Sequence, residues 1–277
     1  MRCLFVLVIV LLSGCQTIPT LKERSHTAEQ LILSAQMYKL RVKSGNFQFF
    51  GSYRFSGNSK SLRVYIEGDG LAWITRRQLS QNPTPVNPVA LKLASSDNHQ
   101  NIVWLARPCQ YQVTGSCDSR YWSHHRFAAD VIDDYQSLLD QLKKQSGATS
   151  LELVGFSGGA AIAVLVAAVR DDVRMIMTVA GNLDHQQLHQ IHRVSQLNGS
   201  LNPADIIPKV QHIPQVHFAG SEDRVIPAEI SRTFTDRINQ LSNTNNAKVI
   251  TVQNAGHTHG WVEQWPLLLK KLETKIH

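Results

Sequence analysis

The sequence predicts an α/β fold, with a mostly parallel central sheet covered by helices on both faces. Three observations carry that prediction. Short β-branched and aromatic runs alternate along the chain with longer segments of 3.6-residue apolar period. One such run, Leu151-Glu152-Leu153-Val154, leads directly into a glycine-rich turn and then an unbroken apolar stretch from Gly158 to Val169. The last run, Lys248–Val252, is followed by a closing amphipathic pattern over Trp261–Ile276.

Taken in order, residues 16–46 read as a polar lead-in with a short helix over Ala28–Leu40. Phe47–Phe55 and Leu62–Glu67 are rich in aromatic and β-branched residues and are split by Ser56-Gly57-Asn58-Ser59, so they read as strands. Their short connection makes the leading part of the sheet antiparallel or mixed. Pro83, Pro85 and Pro88 break the chain into irregular structure, and Asn101–Leu105 is a short buried-type strand. From Phe127 to Leu142 apolar residues fall at 127, 131, 135, 138, 139 and 142, which is one helix face. Gly158–Val169 is apolar all round, as in a helix buried on most sides. Val173–Ala180, Gln215–Ala219 and Lys248–Val252 complete the strands. Pro227 opens a helix that turns Ile230, Phe234 and Ile238 inward. The stretch between Ala180 and Gln215 is long enough for a small cap and too short for a second domain. No linker composition and no repeat interrupts the chain.

The first residues stand apart from this pattern. Met1-Arg2 is a short basic start, and Cys3 to Leu12 is an unbroken apolar run. Ten helical residues reach about 15 Å, half of a bilayer core of about 30 Å, so the run suits the core of an export signal. It ends in Leu12-Ser13-Gly14-Cys15, which resembles the lipobox of bacterial lipoproteins. The resemblance implies cleavage before Cys15, a diacylglyceryl thioether on its sulfur and an acylated amino group. Two or more acyl chains, such as palmitate, hold a protein firmly to a membrane where one does so only marginally. An ordinary secretory signal that happens to contain Cys15 is the alternative. Gln16 stands where an inner-membrane retention signal would place Asp, which favours the outer membrane, facing the periplasm. The expected organisation is a signal peptide over 1–14, a lead-in over 15–46 and one domain over 47–277.

Composition narrows the function. The 277 residues carry a formal charge of +7, but no Lys/Arg run exceeds two, so the pattern argues against nucleic-acid binding. A mildly basic body suits an anionic membrane surface. No later segment is apolar enough to span a bilayer. Of four cysteines, Cys3 leaves with the signal and Cys15 carries the lipid. Cys109 and Cys117 remain, in a loop-like stretch. In an exported protein they are expected to pair, with a metal pair or two free thiols as alternatives.

The chemistry centres on Gly155-Phe156-Ser157-Gly158-Gly159. Gly-x-Ser-x-Gly alone is a weak motif. Here a strand enters it and a buried helix leaves it, the geometry of a nucleophile elbow. Gly155, Gly158, Gly159, Ala160 and Ala161 supply the small residues that so sharp a turn demands, and the helix N-terminus behind Ser157 favours developing negative charge. A structural serine in a glycine-rich turn is the bland alternative. On these residues the chain resembles the α/β-hydrolase superfamily from Phe47 onward. The resemblance implies the order nucleophile, acid, histidine, each on a loop after a sheet strand, and a small cap between the sixth and seventh strands.

A serine hydroxyl needs a base, and the base needs a partner that fixes its tautomer. The acid candidate is Asp223, in Gly220-Ser221-Glu222-Asp223-Arg224-Val225-Ile226-Pro227, just beyond a strand. Glu222 is its neighbour, and Asp184 in Gly181-Asn182-Leu183-Asp184 is the alternative acid, because some superfamily members take theirs from that loop. The base candidate is His257 in Asn254-Ala255-Gly256-His257-Thr258-His259-Gly260, with His259 as rival. His185, His189 and His192 share a helix face. They suit a wet surface better than zinc, so neither metal nor cofactor is expected.

The superfamily's oxyanion hole uses two backbone amides. They are carried over to Gly158 and to Asp69, in Glu67-Gly68-Asp69-Gly70-Leu71, with Gly70 second. The superfamily often has His-Gly where this chain has Glu67-Gly68. Trp73, Trp122, Arg120 and Arg126 could line a pocket, with Arg reading a carboxylate or phosphate; structural packing is the alternative. The expected activity is hydrolysis of an ester or similar acyl bond in a small-molecule or envelope substrate, by a monomer. Peptidase, thioesterase and acyltransferase activities use the same constellation, and a catalytically silent binding lipoprotein is the non-enzymatic alternative.

Overall fold

The computed structural model describes residues 18–111 and 117–276, with side chains up to residue 272. Cys15 and the expected signal peptide lie outside the described residues.

The chain runs α1 (Leu21–Ser34), β1 (Tyr38–Ser44), β2 (Phe47–Phe55), β3 (Ser61–Ile66), β4 (Trp73–Thr75), β5 (Gln78–Leu79), α2 (Val89–Ser95), β6 (Asn101–Leu105), α3 (Ala129–Ser146), β7 (Ser150–Phe156), α4 (Gly158–Ala167), β8 (Val173–Val179), α5 (His185–His192), α6 (Ile207–Val210), β9 (Gln215–Gly220), α7 (Ala228–Ser242), β10 (Ala247–Val252) and α8 (Trp265–Ile276). Eight strands form one sheet in the order β1-β2-β6-β3-β7-β8-β9-β10, and β4-β5 form a separate hairpin. From β6 to β10 across that order all neighbours are parallel, while β1-β2 and β2-β6 are antiparallel. The expected mixed leading edge is present, but β2 and β3 do not pair: β6 inserts between them. Residues 181–214, with α5 and α6, form the small cap between the sixth and seventh strands of the sheet.

The alternation along β3 shows how the two faces are built. Leu62, Val64 and Ile66 point into one apolar layer, shared with α3, α4 and α7. Tyr65 points into the other, shared with α1, α2 and α8 through Ile32, Leu91, Trp265 and Leu269. α4 is buried at every position, as its sequence demanded. Gly147 closes α3 in the left-handed conformation, the C-terminal role that glycine takes most readily.

The region before residue 47 departs from expectation. It is not a lead-in. The helix sits at Leu21–Ser34, opened by a capping box between Thr20 and Glu23. Ala28 and Ile32 are buried in the core, and β1 forms the sheet edge. The folded body therefore includes α1 and β1. Among the described residues no helix is long and apolar enough to cross a membrane.

Candidate active site

Ser157 sits between β7 and α4 with φ +52° and ψ −119°, a backbone state that L residues rarely occupy. Three bonds hold it there: its amide donates to the Val179 carbonyl at 3.0 Å, and its own carbonyl accepts from the amides of Ala160 and Asn182 at 3.1 and 3.0 Å. The flanking glycines are required by close approach. A Cβ on Gly155 would lie 2.4 Å from Ala160 Cα, and one on Gly159 would lie 2.2 Å from the Ile66 carbonyl oxygen. This is the sharp strand–turn–helix that the motif predicted.

The structure brings the three expected side chains together. His257 Nε2 is 3.1 Å from Ser157 Oγ, and His257 Nδ1 is 2.9 Å from Asp223 Oδ2. The Asp223 carboxylate is fully buried, and its Oδ1 accepts from the amides of Val225 and Ile226 at 2.8 and 2.9 Å. These bonds aim Oδ2 at the imidazole. Trp261 Nε1 donates to the carbonyls of Gly256 and His257, pinning the histidine loop onto the start of the closing segment.

The rivals are placed elsewhere. Asp184 caps α5, accepting from the amides of Gln186 and Gln187 and from Asn202 Nδ2. Glu222 and His259 are exposed, facing each other at 3.8 Å. In the cap, His185 packs beside Phe127, His189 Nδ1 meets the Ser195 carbonyl and His192 Nε2 meets the Val225 carbonyl. Burial depresses the pKa of His185 and His189, so both favour the neutral form. Among the described residues no group of His, Cys, Asp and Glu has the arrangement of a metal site.

The loop after β3 lies against the elbow. A Cβ on Gly68 would be 3.3 Å from Ser157 Cβ, and one on Gly158 would be 2.1 Å from Asp69 Oδ1. The Asp69 carboxylate accepts from Arg107 Nη1 at 3.0 Å and Arg126 Nη1 at 2.7 Å. Burial pushes its pKa up, but the two guanidiniums outweigh that and hold it below the ordinary range. Gln110 Nε2 donates to the Gly68 carbonyl at 2.9 Å. Next to it, Cys109 is bonded to Cys117, with Cα atoms 5.5 Å apart.

Glu67 explains the missing histidine. It is buried, and its two oxygens accept from the amides of Gly68, Ala90 and Leu91 and from Trp104 Nε1, at 3.1–3.3 Å. It thus ties the β3 loop to the first turn of α2 and to β6. Burial raises its pKa to about 7, against the pull of those donors.

Of the residues offered as a pocket lining, only Arg126 reaches this loop. Trp122 is buried, with Nε1 on the Ser80 carbonyl; Arg120 lies over the Tyr121 ring; Trp73 is exposed on the β4-β5 hairpin. The bond from Arg107 to Asp69, and its neighbour's bond to the same carboxylate, span 38 and 57 residues, so no local pattern announced them.

No curated protein matches the chain. Several solved structures share its fold. An α/β serine hydrolase homologue from Coxiella burnetii is 19% identical, with 85% of this chain and 97% of that one covered and a TM-score of 0.61. Est1E from Butyrivibrio proteoclasticus is 14% identical, with 86% and 97% covered and a TM-score of 0.57. XC6422 from Xanthomonas campestris, a serine hydrolase without lid, is 13% identical, with 86% and 94% covered and a TM-score of 0.57. The profile of the FSH1 serine hydrolases matches residues 78–258, which is more than half of the sequence and holds both Ser157 and His257, and the chain belongs to that family.

Proposed function

We propose that the chain cleaves a carboxylic ester through an acyl-Ser157 intermediate. The observation that carries this reading is the unbroken relay from Ser157 Oγ through His257 to the buried Asp223 carboxylate. His257 Nε2 takes the hydroxyl proton as Oγ attacks the carbonyl carbon. Asp223 holds the Nδ1–H tautomer and supports the imidazolium. The oxyanion takes the amides of Gly158 and Asp69, neither of which has an acceptor among the described residues. His257 then gives its proton to the leaving alcohol. A water, deprotonated by the same imidazole, attacks the acyl carbon, and the proton returns to Oγ as the acid departs. An activity-based fluorophosphonate is expected to label the wild type at Ser157 and to leave Ser157→Ala unlabelled; an unlabelled wild type, or a labelled variant, defeats the reading. Esters of graded chain length, aminoacyl amides and thioesters, assayed side by side, decide the bond type.

The proposed setting is the bacterial envelope, with the chain held to the outer membrane by a lipid on Cys15. The support is the apolar run before Leu12-Ser13-Gly14-Cys15 and the nearness of Cys15 to the start of α1 at Leu21. Cys15→Ala is expected to release the protein from membranes, and retention there would refute the anchor.

A further inference from the structure

We propose that Arg126 is a substrate-reading residue, binding an anionic group on the acyl portion of the ester. The inference rests on Ser157 as nucleophile and adds a substrate class. Two guanidiniums share the single Asp69 carboxylate, and no other carboxylate lies within ion-pair distance of either among the described residues. Asp69 stays ionised, so the cluster carries one surplus positive charge, and it is the carboxylate gripped by both guanidiniums that lies against Gly158. His189 on α5 lies near Arg126 and Asp69, and burial disfavours its charged form.

The two arginines differ in what remains for a ligand. Arg107 is turned into the fold: Nη2 donates to the Arg126 carbonyl, the guanidinium lies over the Phe127 ring, and Nε is buried without a partner among the described residues, out of a ligand's reach. Arg126 donates through Nε to Ser123 and through Nη1 to Asp69, and its Nη2 has no acceptor among the described residues. Its side chain stays 13% exposed, so it is fixed in place yet open at one edge. A guanidinium held in that way presents N–H groups in a planar fork suited to a carboxylate or phosphate.

Sheet order gives the side. Asp69 and Arg126 follow β3 and β6, on one side of β7, while Asp223 and His257 follow β9 and β10 on the other. His257 must reach the leaving oxygen, so the alcohol lies on its side of Ser157. The acyl chain extends toward Arg126.

The test compares 4-nitrophenyl half-esters of succinic, glutaric and adipic acid with uncharged 4-nitrophenyl esters of matched length, the uncatalysed rate subtracted. The best half-ester is expected to show a kcat/KM about 10-fold or more above its uncharged match, the scale of one charge-assisted hydrogen bond. Arg126→Gln should erase most of that ratio through KM, and Arg126→Lys should restore part of it. A ratio near one in the wild type, or one that survives Arg126→Gln, overturns the proposal. A second readout is independent of turnover: free glutarate should slow fluorophosphonate labelling of Ser157 in the wild type and not in Arg126→Gln. Labelling that glutarate leaves unchanged overturns this proposal alone, whereas a Ser157 that never labels overturns the nucleophile with it.

Discussion

His257 Nδ1 lies 2.9 Å from Asp223 Oδ2, and the other Asp223 oxygen is occupied by two backbone amides. One carboxylate therefore does two jobs, shaping its own loop and orienting the imidazole. In Asp223→Asn the remaining side-chain oxygen can keep the Val225 and Ile226 bonds, so the loop should persist. The amide NH2 then faces Nδ1 and selects the wrong tautomer. The expected loss in kcat is about 10³- to 10⁴-fold, the scale known for this change in other serine hydrolases. Asp184→Asn keeps a capping oxygen on α5 and should stay within about 3-fold of wild type. Steady-state kinetics on the two variants settles which carboxylate serves Ser157, and equal losses would refute the assignment.

The parts legible in the sequence were those with a local cause. The elbow could be read because a buried strand, small residues and an apolar helix lie consecutively from Leu151 to Val169. Asp223 and His257 could be read because each loop follows a strand and precedes a helix. β1 was missed although Leu40 and Val42 alternate with Lys39, Arg41 and Lys43, because the three basic residues of this edge strand make the stretch read as polar and the expected helix runs across its start. α2 was missed because three prolines precede it, yet Pro88 takes its N-cap, where a missing amide costs nothing. The Asp69–Arg107–Arg126 cluster and the role of Glu67 depend on contacts between distant segments, and no periodicity encodes those.

Glu67 gives the fold a pH dependence with a definite sign. Its folded pKa of about 7 stands above the ordinary 4.5, so the native state binds the proton more tightly than the unfolded chain does. The contribution is full below pH 4.5 and is lost as pH rises toward 7, at a cost of about 3 kcal/mol if the whole shift is realised. Urea unfolding of the wild type at intervals from pH 4.5 to 7.5, set against Glu67→Gln, isolates this group. The difference between the two stability curves should slope across that window, with the wild type losing ground as pH rises. A flat difference would show that Glu67 does not titrate there.

At the other end of the same strand, Arg63 is buried between Glu152 at 2.8 Å and Asp97 at 2.9 Å, and Tyr65 donates its hydroxyl to the same Asp97 at 2.5 Å. Arg63→Met keeps volume but strands two buried carboxylates. Breaking a buried pair from one side costs about 3–5 kcal/mol. Chemical denaturation should show a loss of that size, and a loss under about 1 kcal/mol would mean that water or the exposed Arg174 on Glu152 takes over.

Ser157 itself is expected to cost stability. Its φ of +52° with ψ of −119° is a conformation that glycine adopts freely and serine does not. The three backbone bonds around it compel the state rather than relieve it. Ser157→Gly removes the side-chain strain, about 1–3 kcal/mol for such a residue. It adds back about 0.5–1 kcal/mol through the greater freedom of glycine in the unfolded chain. The net is a gain of about 1 kcal/mol together with loss of hydrolysis. Ser157→Ala abolishes activity equally but keeps a Cβ in the strained conformation, so it should gain less than the glycine variant. Ordered stabilities of Gly above Ala, both inactive, would tie the elbow's strain to the placement of the nucleophile; a glycine variant less stable than alanine would show that the turn holds no strain at Ser157.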